Sequence, residues 1–249
     1  MDQVGPTDRN GGYCMRCRTW HELPWAEAWE HGRDLMAALR RHGRIDYQQP
    51  EDQADPRCRT TPLFNPGGGK MLGLLLCRDA QGRERRLLAF SGMFNGLWDA
   101  AGWVPPVFAV QDFLRLHAPV ERRIKELGAK IAGLPPSAAL RQDLISKRRQ
   151  LSRHNMAAIH ALYHLRNFRG ETRPLTSFFP PQSGPPSGAG DCCAPKLLHQ
   201  AQSLGLQPFS IAEFYWGGAN ASAGREHGCR YPPCAGKCQP ILGFQLCGL

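Results

Sequence analysis

The sequence predicts an α/β fold, in which helices cover both faces of a small β-sheet. Two apolar runs, 70–78 and 85–92, are joined by a turn that contains Gly82, and this pattern is typical of a β-hairpin. Both runs are almost continuously apolar, which indicates strands covered on both faces. A further strand, 208–216, is rich in aromatic and β-branched residues. Segments with helical spacing of apolar residues lie before and after these strands.

The composition is that of a globular protein, with 249 residues of which 42% are hydrophobic and 21% are charged. Lys and Arg outnumber Asp and Glu by 31 to 21, which gives a formal net charge of +10. This excess favours a polyanionic partner such as RNA, and a generally basic protein without such a partner is the alternative.

Neither a signal peptide nor a membrane span is predicted. The first residues lack basic and apolar segments, and no stretch approaches the roughly 18 apolar residues that a membrane span requires. We therefore expect a cytoplasmic protein with no membrane partner. In that reducing compartment, its ten cysteines are better explained as metal ligands or buried thiols than as disulfides.

The chain is predicted to consist of an N-terminal part and a main domain. Residues 1–47 form an N-terminal arm and an amphipathic helix, whose apolar residues recur at helical spacing. Residues 48–249 form the main domain. A helical insertion, 107–170, interrupts this domain and is itself broken into a hairpin by the Gly-Leu-Pro-Pro stretch at 133–136.

The helical insertion carries a long series of basic side chains. They are Arg141, Lys147, Arg148, Arg149, Arg153, Arg166 and Arg169. Because neutralisation of phosphates supplies most of the sequence-independent affinity for nucleic acid, this ridge is the candidate RNA-binding surface. A solvent-exposed helix pair without a ligand is the alternative.

Two cysteine motifs each run into a proline and then an apolar segment, as a helix start does. Cys192 precedes Pro195, and Cys234 and Cys238 precede Pro240. The positive end of a helix dipole lowers the pKa of a thiol there and favours metal binding. We therefore predict that Cys192, Cys234 and Cys238 bind zinc.

The remaining cysteines leave alternatives open. The fourth zinc ligand is either a cysteine, Cys229 or Cys193, or a water molecule. A fourth cysteine would make the site closed and structural, whereas a bound water would leave catalysis open. Near the N-terminus, Cys14 and Cys17 have zinc-knuckle spacing, which His21 or Cys58 would complete; two cysteines in a mobile arm are equally compatible with the pattern. We expect Cys58, Cys77 and Cys247 to pack in the interior. The alternative for all ten cysteines is that they are buried apolar residues that bind no metal.

The order of predicted elements and the two cysteine motifs resemble the core of the cytidine/nucleotide deaminase superfamily. The resemblance implies a three-layer core in which Cys192 is the first zinc ligand and Cys234 and Cys238 are the pair. Two features depart from the family pattern: Ala194 stands where the catalytic glutamate is expected, and the pair is spaced CxxxC rather than CxxC. Catalysis would then need another residue to carry protons. The candidates are Glu213, Asp191 and His227.

A second resemblance covers most of the chain. The segments LAFSG (88–92), GAGDCCAPKLL (188–198), AEFYWG (212–217) and GKCQPIL (236–242) are similar to the region that precedes the synthase domain in long RluA-type RNA pseudouridine synthases. The Arg-Leu-Asp motif that holds the catalytic aspartate of those enzymes does not occur here. The resemblance implies a zinc-binding accessory module that associates with tRNA or rRNA, with a separate pseudouridine synthase chain as partner. It does not imply that this chain is itself a pseudouridine synthase. The alternative function is a zinc-dependent deaminase of a nucleobase or nucleotide.

Overall fold

A computed structural model describes residues 9–219 and 224–249 of the chain. The chain divides into two compact units. The first unit comprises Met1–Val107, Leu165–Arg173 and Gly188–Leu249, and the second comprises Phe108–His164 and Pro174–Ser187.

The described residues contain seven strands and five α-helices. The strands are β1 (Asn10–Cys14), β2 (Thr19–Leu23), β3 (Lys70–Arg78), β4 (Glu84–Phe90), β5 (His164–Arg166), β6 (Thr172–Pro174) and β7 (Gln207–Trp216). The helices are α1 (Ala26–His42), α2 (Val110–Ala132), α3 (Ala139–His160), α4 (Cys193–Ser203) and α5 (Gln239–Gln245). In the described part of the chain, no helix is both long and apolar enough to cross a membrane.

The first unit is built on a three-stranded antiparallel sheet with the order β4-β3-β7. On one face, Leu72, Leu74 and Leu76 of β3 belong to a core that also contains apolar residues of α1. On the other face, Met71 and Leu75 belong to a second core that contains residues of α4 and α5. The central strand is therefore buried on both sides, and the predicted α/β class is confirmed.

Helix α4 approaches the sheet closely at Gly73 of β3. A Cβ atom at this position would lie 2.5 Å from the Cβ of Cys193, so a larger residue has no room. Gly73 is also paired with Glu213 on the neighbouring strand β7. The close approach therefore brings the start of α4 next to Glu213.

Within the predicted N-terminal arm, residues 10–23 form a β-hairpin. Strands β1 and β2 pair antiparallel, with Asn10 opposite Leu23 and Cys14 opposite Thr19. The hairpin packs directly on α5, because Gly12 and Gly243 allow the two backbones to approach each other. Its strands are short and lack an apolar alternation, which is why the sequence pattern did not predict them.

The second unit contains α2 and α3, which pack against each other. Leu127 and Ile131 on α2 and Ile159 on α3 are among its buried residues. Near the start of α2, the ring of Phe108 lies 4.9 Å from the ring of Tyr163, measured between ring centres. Helix α3 ends at His160, so the last residues of the predicted helical insertion, 107–170, are not helical and include the short strand β5.

Candidate metal centre

The sulfur atoms of Cys192, Cys234 and Cys238 lie together and form what we call the three-cysteine centre. All three lie within 4.8 Å of one another, and the sulfurs of Cys234 and Cys238 are 3.6 Å apart. Sulfurs bound to one tetrahedral zinc ion, each at about 2.3 Å, are about 3.8 Å from each other. The spacing and the chemistry of the donors therefore suit a zinc ion.

The starts of two helices position these ligands. Cys192 immediately precedes α4, and Cys238 immediately precedes α5. The N–H groups of Cys238 and Gln239 donate to the carbonyl oxygen of Cys234, at 3.1 and 3.2 Å. The intervening residues thus form one tight turn. This turn accommodates the extra residue of the CxxxC spacing without separating the two sulfurs.

The three thiols hold their protons unequally. Contacts with the thiols of Cys192 and Cys238 lower the pKa of Cys234 well below its ordinary value. The contact with Cys234 raises the pKa of Cys192, and contacts with both other thiols raise the pKa of Cys238. The close contacts among the three sulfurs therefore dominate their proton affinities, as expected for thiols that share one small site.

Neither alternative fourth cysteine lies with the three-cysteine centre. The thiol of Cys193 donates to the carbonyl oxygen of Met71 at 3.3 Å within the core. Cys229 is exposed, and its thiol points to the carboxylate of Glu226 at 3.9 Å. Among residues 9–219 and 224–249, this group of ligand atoms contains the three cysteines alone. A tetrahedral ion held there would keep one position for another ligand.

Glu213 is buried next to the start of α4 and is only 5% exposed. Its Oε1 atom accepts a hydrogen bond from the N–H group of Ala194 at 3.1 Å. Burial raises the pKa of Glu213 to about 7, although this hydrogen bond favours the charged carboxylate. The negative charge of Glu213 also contributes to the raised pKa of Cys238, after the thiol contacts and burial. The carboxyl group of Glu213 therefore lies next to the backbone of Ala194. Ala194 stands at the position where the deaminase pattern has its catalytic glutamate.

The other two candidate proton carriers have different surroundings. Asp191 precedes Cys192 directly and is half-buried, and its carbonyl oxygen accepts from the N–H of Gly92 at 2.8 Å. The ring of His227 lies 4.4 Å from that of Trp216, between ring centres. Trp216 belongs to the core on the α1 face of the sheet. Glu213 lies three residues earlier on the same strand, so its side chain is on the opposite face, which α4 covers. Of the three candidates, Glu213 and Asp191 lie on the side of the cysteines.

Lys196 is a buried cation that the sequence pattern did not single out. It is 1% exposed, and its Nζ donates to the carbonyl oxygen of Phe90 at 2.8 Å. The same nitrogen lies 4.5 Å from the centre of the Phe90 ring. Burial lowers the pKa of Lys196. These contacts attach α4 to the end of β4 and so support the position of Cys192.

A second group of ligand atoms lies at the N-terminal hairpin, and we call it the hairpin group. It consists of Cys14, Cys17, His21 and Cys247. Two residues, His21 and Cys58, were predicted to complete a site with Cys14 and Cys17. His21 lies with these two cysteines, whereas Cys58 is buried elsewhere. Cys247 is buried as expected, but it also faces this group, which its position at the end of the chain gave no reason to predict.

The predicted RNA-binding residues fall into two places. Five of them lie on α3, and we call these the α3 cations: Arg141, Lys147, Arg148, Arg149 and Arg153. Arg166 and Arg169 belong to the first unit instead. Arg166 is exposed on β5, while the Nε of Arg169 donates to the sulfur of Cys247 at 3.3 Å.

The α3 cations differ from three of the basic residues of α2. On α2, three cations pair with acidic residues one turn away: Arg115 with Asp112, Arg123 with Glu126 and Lys125 with Glu121. The α3 cations make no ion pair within the described ranges. Three of them, together with Ile124 and Ser152, line a cleft of about 350 Å³. Their charge is therefore available to an anionic partner.

No protein family model, curated protein or solved structure matches this chain. Its function is accordingly inferred from its own residues and their geometry.

Proposed function

We propose that the protein is a zinc-binding accessory module of RNA modification. The convergence of Cys192, Cys234 and Cys238 carries the zinc part of this proposal. The unpaired α3 cations and the net charge of +10 support the RNA part. The resemblance to the region that precedes RluA-type synthases supports the biological context, in which the module acts in the cytoplasm on tRNA or rRNA beside a separate synthase chain.

Zinc at the three-cysteine centre has a clear physical role. It joins the start of α4, the start of α5 and the loop that carries Cys234. The metal-binding free energy of such a site contributes directly to folding, because the unfolded chain does not hold the thiolates together. The ion thereby links the starts of two helices that also contribute buried apolar residues to one core.

Zinc content tests the metal proposal. The full chain, purified without added zinc, is expected to contain zinc, and Cys234→Ser is expected to lose one zinc ion per chain. Cys229→Ser is the matched control, because Cys229 is an exposed cysteine near the same loop. Equal zinc content in the wild type and Cys234→Ser, measured by inductively coupled plasma mass spectrometry, would exclude zinc from this centre.

RNA affinity tests the second part. Replacing Lys147, Arg149 and Arg153 together by glutamine should weaken binding to a structured RNA by about tenfold or more. It should also reduce the slope of log affinity against log salt by about 2 to 3, because each lost phosphate contact releases about one counterion fewer.

A matched control removes the same charge from α2. The triple variant Arg115→Gln, Arg123→Gln and Lys125→Gln loses three cations that are already paired with carboxylates. It should bind RNA almost as the wild type does. Equal loss in both triple variants would exclude α3 as the site, and absence of wild-type binding at low salt would exclude RNA binding altogether.

One observation favours a second candidate function, a zinc-dependent hydrolytic deaminase. Glu213 is buried against the start of α4 and accepts a hydrogen bond from Ala194. With the β1–β2 hairpin and the elements between β4 and α4 left aside, the order of α1, the β3–β4 hairpin, α4, β7 and α5 supports a deaminase-like core. Zinc, when bound, lowers the pKa of water to about 7 and so supplies a nucleophile near neutral pH.

In this candidate mechanism Glu213 carries the protons. Its carboxylate would take one proton from the water as the oxygen bonds to the amino-bearing carbon of the base, and would deliver that proton to the adjacent ring nitrogen. It would then move the remaining hydroxyl proton to the amino group, which leaves as ammonia while the carbonyl forms. The N–H of Ala194 orients the carboxylate during both transfers. Such general acid–base assistance is worth about 10²- to 10⁴-fold in rate.

Turnover of cytosine- and adenine-containing nucleotides and RNA oligonucleotides tests the candidate. The wild type should release ammonia, and Glu213→Gln should lose about 10²-fold or more of that activity with unchanged zinc content. Glu226→Gln, on the exposed loop, is the control. If the zinc-loaded wild type deaminates none of these substrates, this candidate fails, while the zinc proposal stands.

A further inference from the structure

The hairpin group brings four ligand atoms together from two distant parts of the chain. The sulfur and nitrogen atoms of Cys14, Cys17, His21 and Cys247 all lie within 4.8 Å of one another. The sulfurs of Cys17 and Cys247 are 3.3 Å apart, although 230 residues separate them in sequence. Three sulfurs and one imidazole nitrogen are a donor set that zinc prefers.

The turn between β1 and β2 is shaped to present its two cysteines. The N–H of Arg18 donates to the carbonyl oxygen of Cys14 at 2.8 Å, and Arg18 has a φ of 53°, which is uncommon for a residue other than glycine. The backbone N–H groups of Cys17 and Arg16 also point at the sulfur of Cys14. Hydrogen bonds of this kind favour a thiolate over a thiol. The turn thus presents the sulfur of Cys14 towards the other ligand atoms of the group.

His21 has a nitrogen that no protein group uses. Its Nε2 is buried and has no hydrogen-bond partner among the residues the structure describes. Buried polar atoms in folded proteins nearly always have a partner, so an unused imidazole nitrogen needs an explanation. A metal ion within this group would use the lone pair of that ring.

Charge balance also fits a metal. Three thiolates and one divalent cation leave a net charge of −1 at the group. Arg169 lies beside it, and its Nε donates to the sulfur of Cys247 at 3.3 Å. Hydrogen bonds from neighbouring groups to metal-bound thiolates are common supports of metal sites.

We propose that Cys14, Cys17, His21 and Cys247 bind a second zinc ion as a closed, structural site. Four protein ligands complete a tetrahedral sphere and leave no position for water or a substrate. This site attaches the N-terminal hairpin to the chain just after α5. Because α5 begins next to Cys238, its two ends would each adjoin a zinc ion. The proposal does not depend on the function of the three-cysteine centre.

The stoichiometry of zinc distinguishes the two sites. The wild-type chain is expected to hold two zinc ions. The double variant Cys17→Ser and Cys247→Ser should lose one of them and keep the one that Cys234→Ser removes. Cys229→Ser should keep both. If the double variant keeps as much zinc as the wild type, the second site is excluded.

Two measurements on the unmodified protein keep the proposal testable if the variants fold poorly. After replacement of zinc by cadmium-113, the wild type should give a nuclear magnetic resonance signal at the chemical shift of cadmium bound by three sulfurs and one nitrogen, and absence of that signal would overturn the second site. Titration of thiols in denaturant with a chelator should recover all ten cysteines. Recovery of eight would overturn it in favour of a disulfide between Cys17 and Cys247.

Discussion

Gly73 is the residue that sets the distance between α4 and the central sheet. Any side chain there would meet the Cβ of Cys193, which cannot move without its helix. The same glycine is paired with Glu213 across the sheet. The hydrogen bond between Glu213 and Ala194 therefore depends on the absence of one side chain on β3.

Gly73→Ala is expected to lower the free energy of unfolding by about 1–3 kcal/mol, because the added methyl group overpacks this contact. Urea denaturation measures the change. Gly32→Ala is the control on the opposite face of the sheet, where the new Cβ would make ordinary contacts and favour the helix by up to about 1 kcal/mol. Equal destabilisation by both changes would contradict this role of Gly73.

His160, at the end of α3, should make stability depend on pH. It is 5% exposed, and its Nε2 lacks a hydrogen-bond partner in the described ranges. Burial lowers the pKa of His160 in the folded state, so the unfolded chain binds the proton more readily. The contribution of this residue to stability is therefore complete above the ordinary pKa of 6.5 and falls as the pH drops below it.

His160→Leu should reduce the loss of stability between pH 7 and pH 5, as measured by urea denaturation across that range. The exposed His154, on the same helix, supplies the control variant His154→Leu. An identical pH dependence of wild type and His160→Leu would show that His160 does not carry this effect.

Single-residue roles were only partly predictable from sequence. Cys192, Cys234 and Cys238 were found because cysteine followed by proline is a local signal at a helix start. Glu213 was one candidate among three, and only the strand register next to Gly73 distinguishes its position. Cys247 was assigned to the interior, because no local pattern connects it with a turn more than two hundred residues earlier.

At the scale of elements, α5 is a seven-residue helix with a proposed zinc ion next to each end. Helices of this length have little intrinsic stability in water. Removal of zinc with a chelator should therefore increase amide hydrogen exchange in α5 and in the β1–β2 hairpin. Strand β3, at the centre of the sheet, should stay protected.

Hydrogen exchange followed by mass spectrometry checks this prediction peptide by peptide. Before chelation, the N–H of Leu242 donates to the carbonyl oxygen of Cys238 at 2.9 Å, so the first turn of α5 reports on the three-cysteine centre. Unchanged exchange in α5 after complete zinc removal would show that the metal does not hold this helix.

Elements with a strong apolar pattern were predictable, and the others were not. The pattern placed an amphipathic helix within residues 1–47, where α1 lies, and located the β3–β4 hairpin within a few residues, because burial on one or two faces imposes a clear periodicity. The β1–β2 hairpin has no such pattern, since it is shaped by two glycines that contact α5 and by the ligands in its turn. Strands β5 and β6 have three residues each, too few to show an alternation.

At the scale of the whole molecule, the proposed roles are divided between the two units. The three-cysteine centre and the hairpin group belong to the first unit, and the α3 cations belong to the second. The proposed metal-binding and RNA-binding roles are therefore separable: loss of the α3 cations should leave zinc content unchanged. The net charge of +10 is a property of the whole chain, but three cations of α2 are paired with carboxylates whereas the α3 cations make no ion pair in the described ranges.

Zinc at the three-cysteine centre can be located by anomalous diffraction at the zinc absorption edge from crystals of the full chain. We predict an anomalous peak about 2.3 Å from each of the sulfurs of Cys192, Cys234 and Cys238. A map with those three sulfurs ordered but no anomalous peak between them would contradict it.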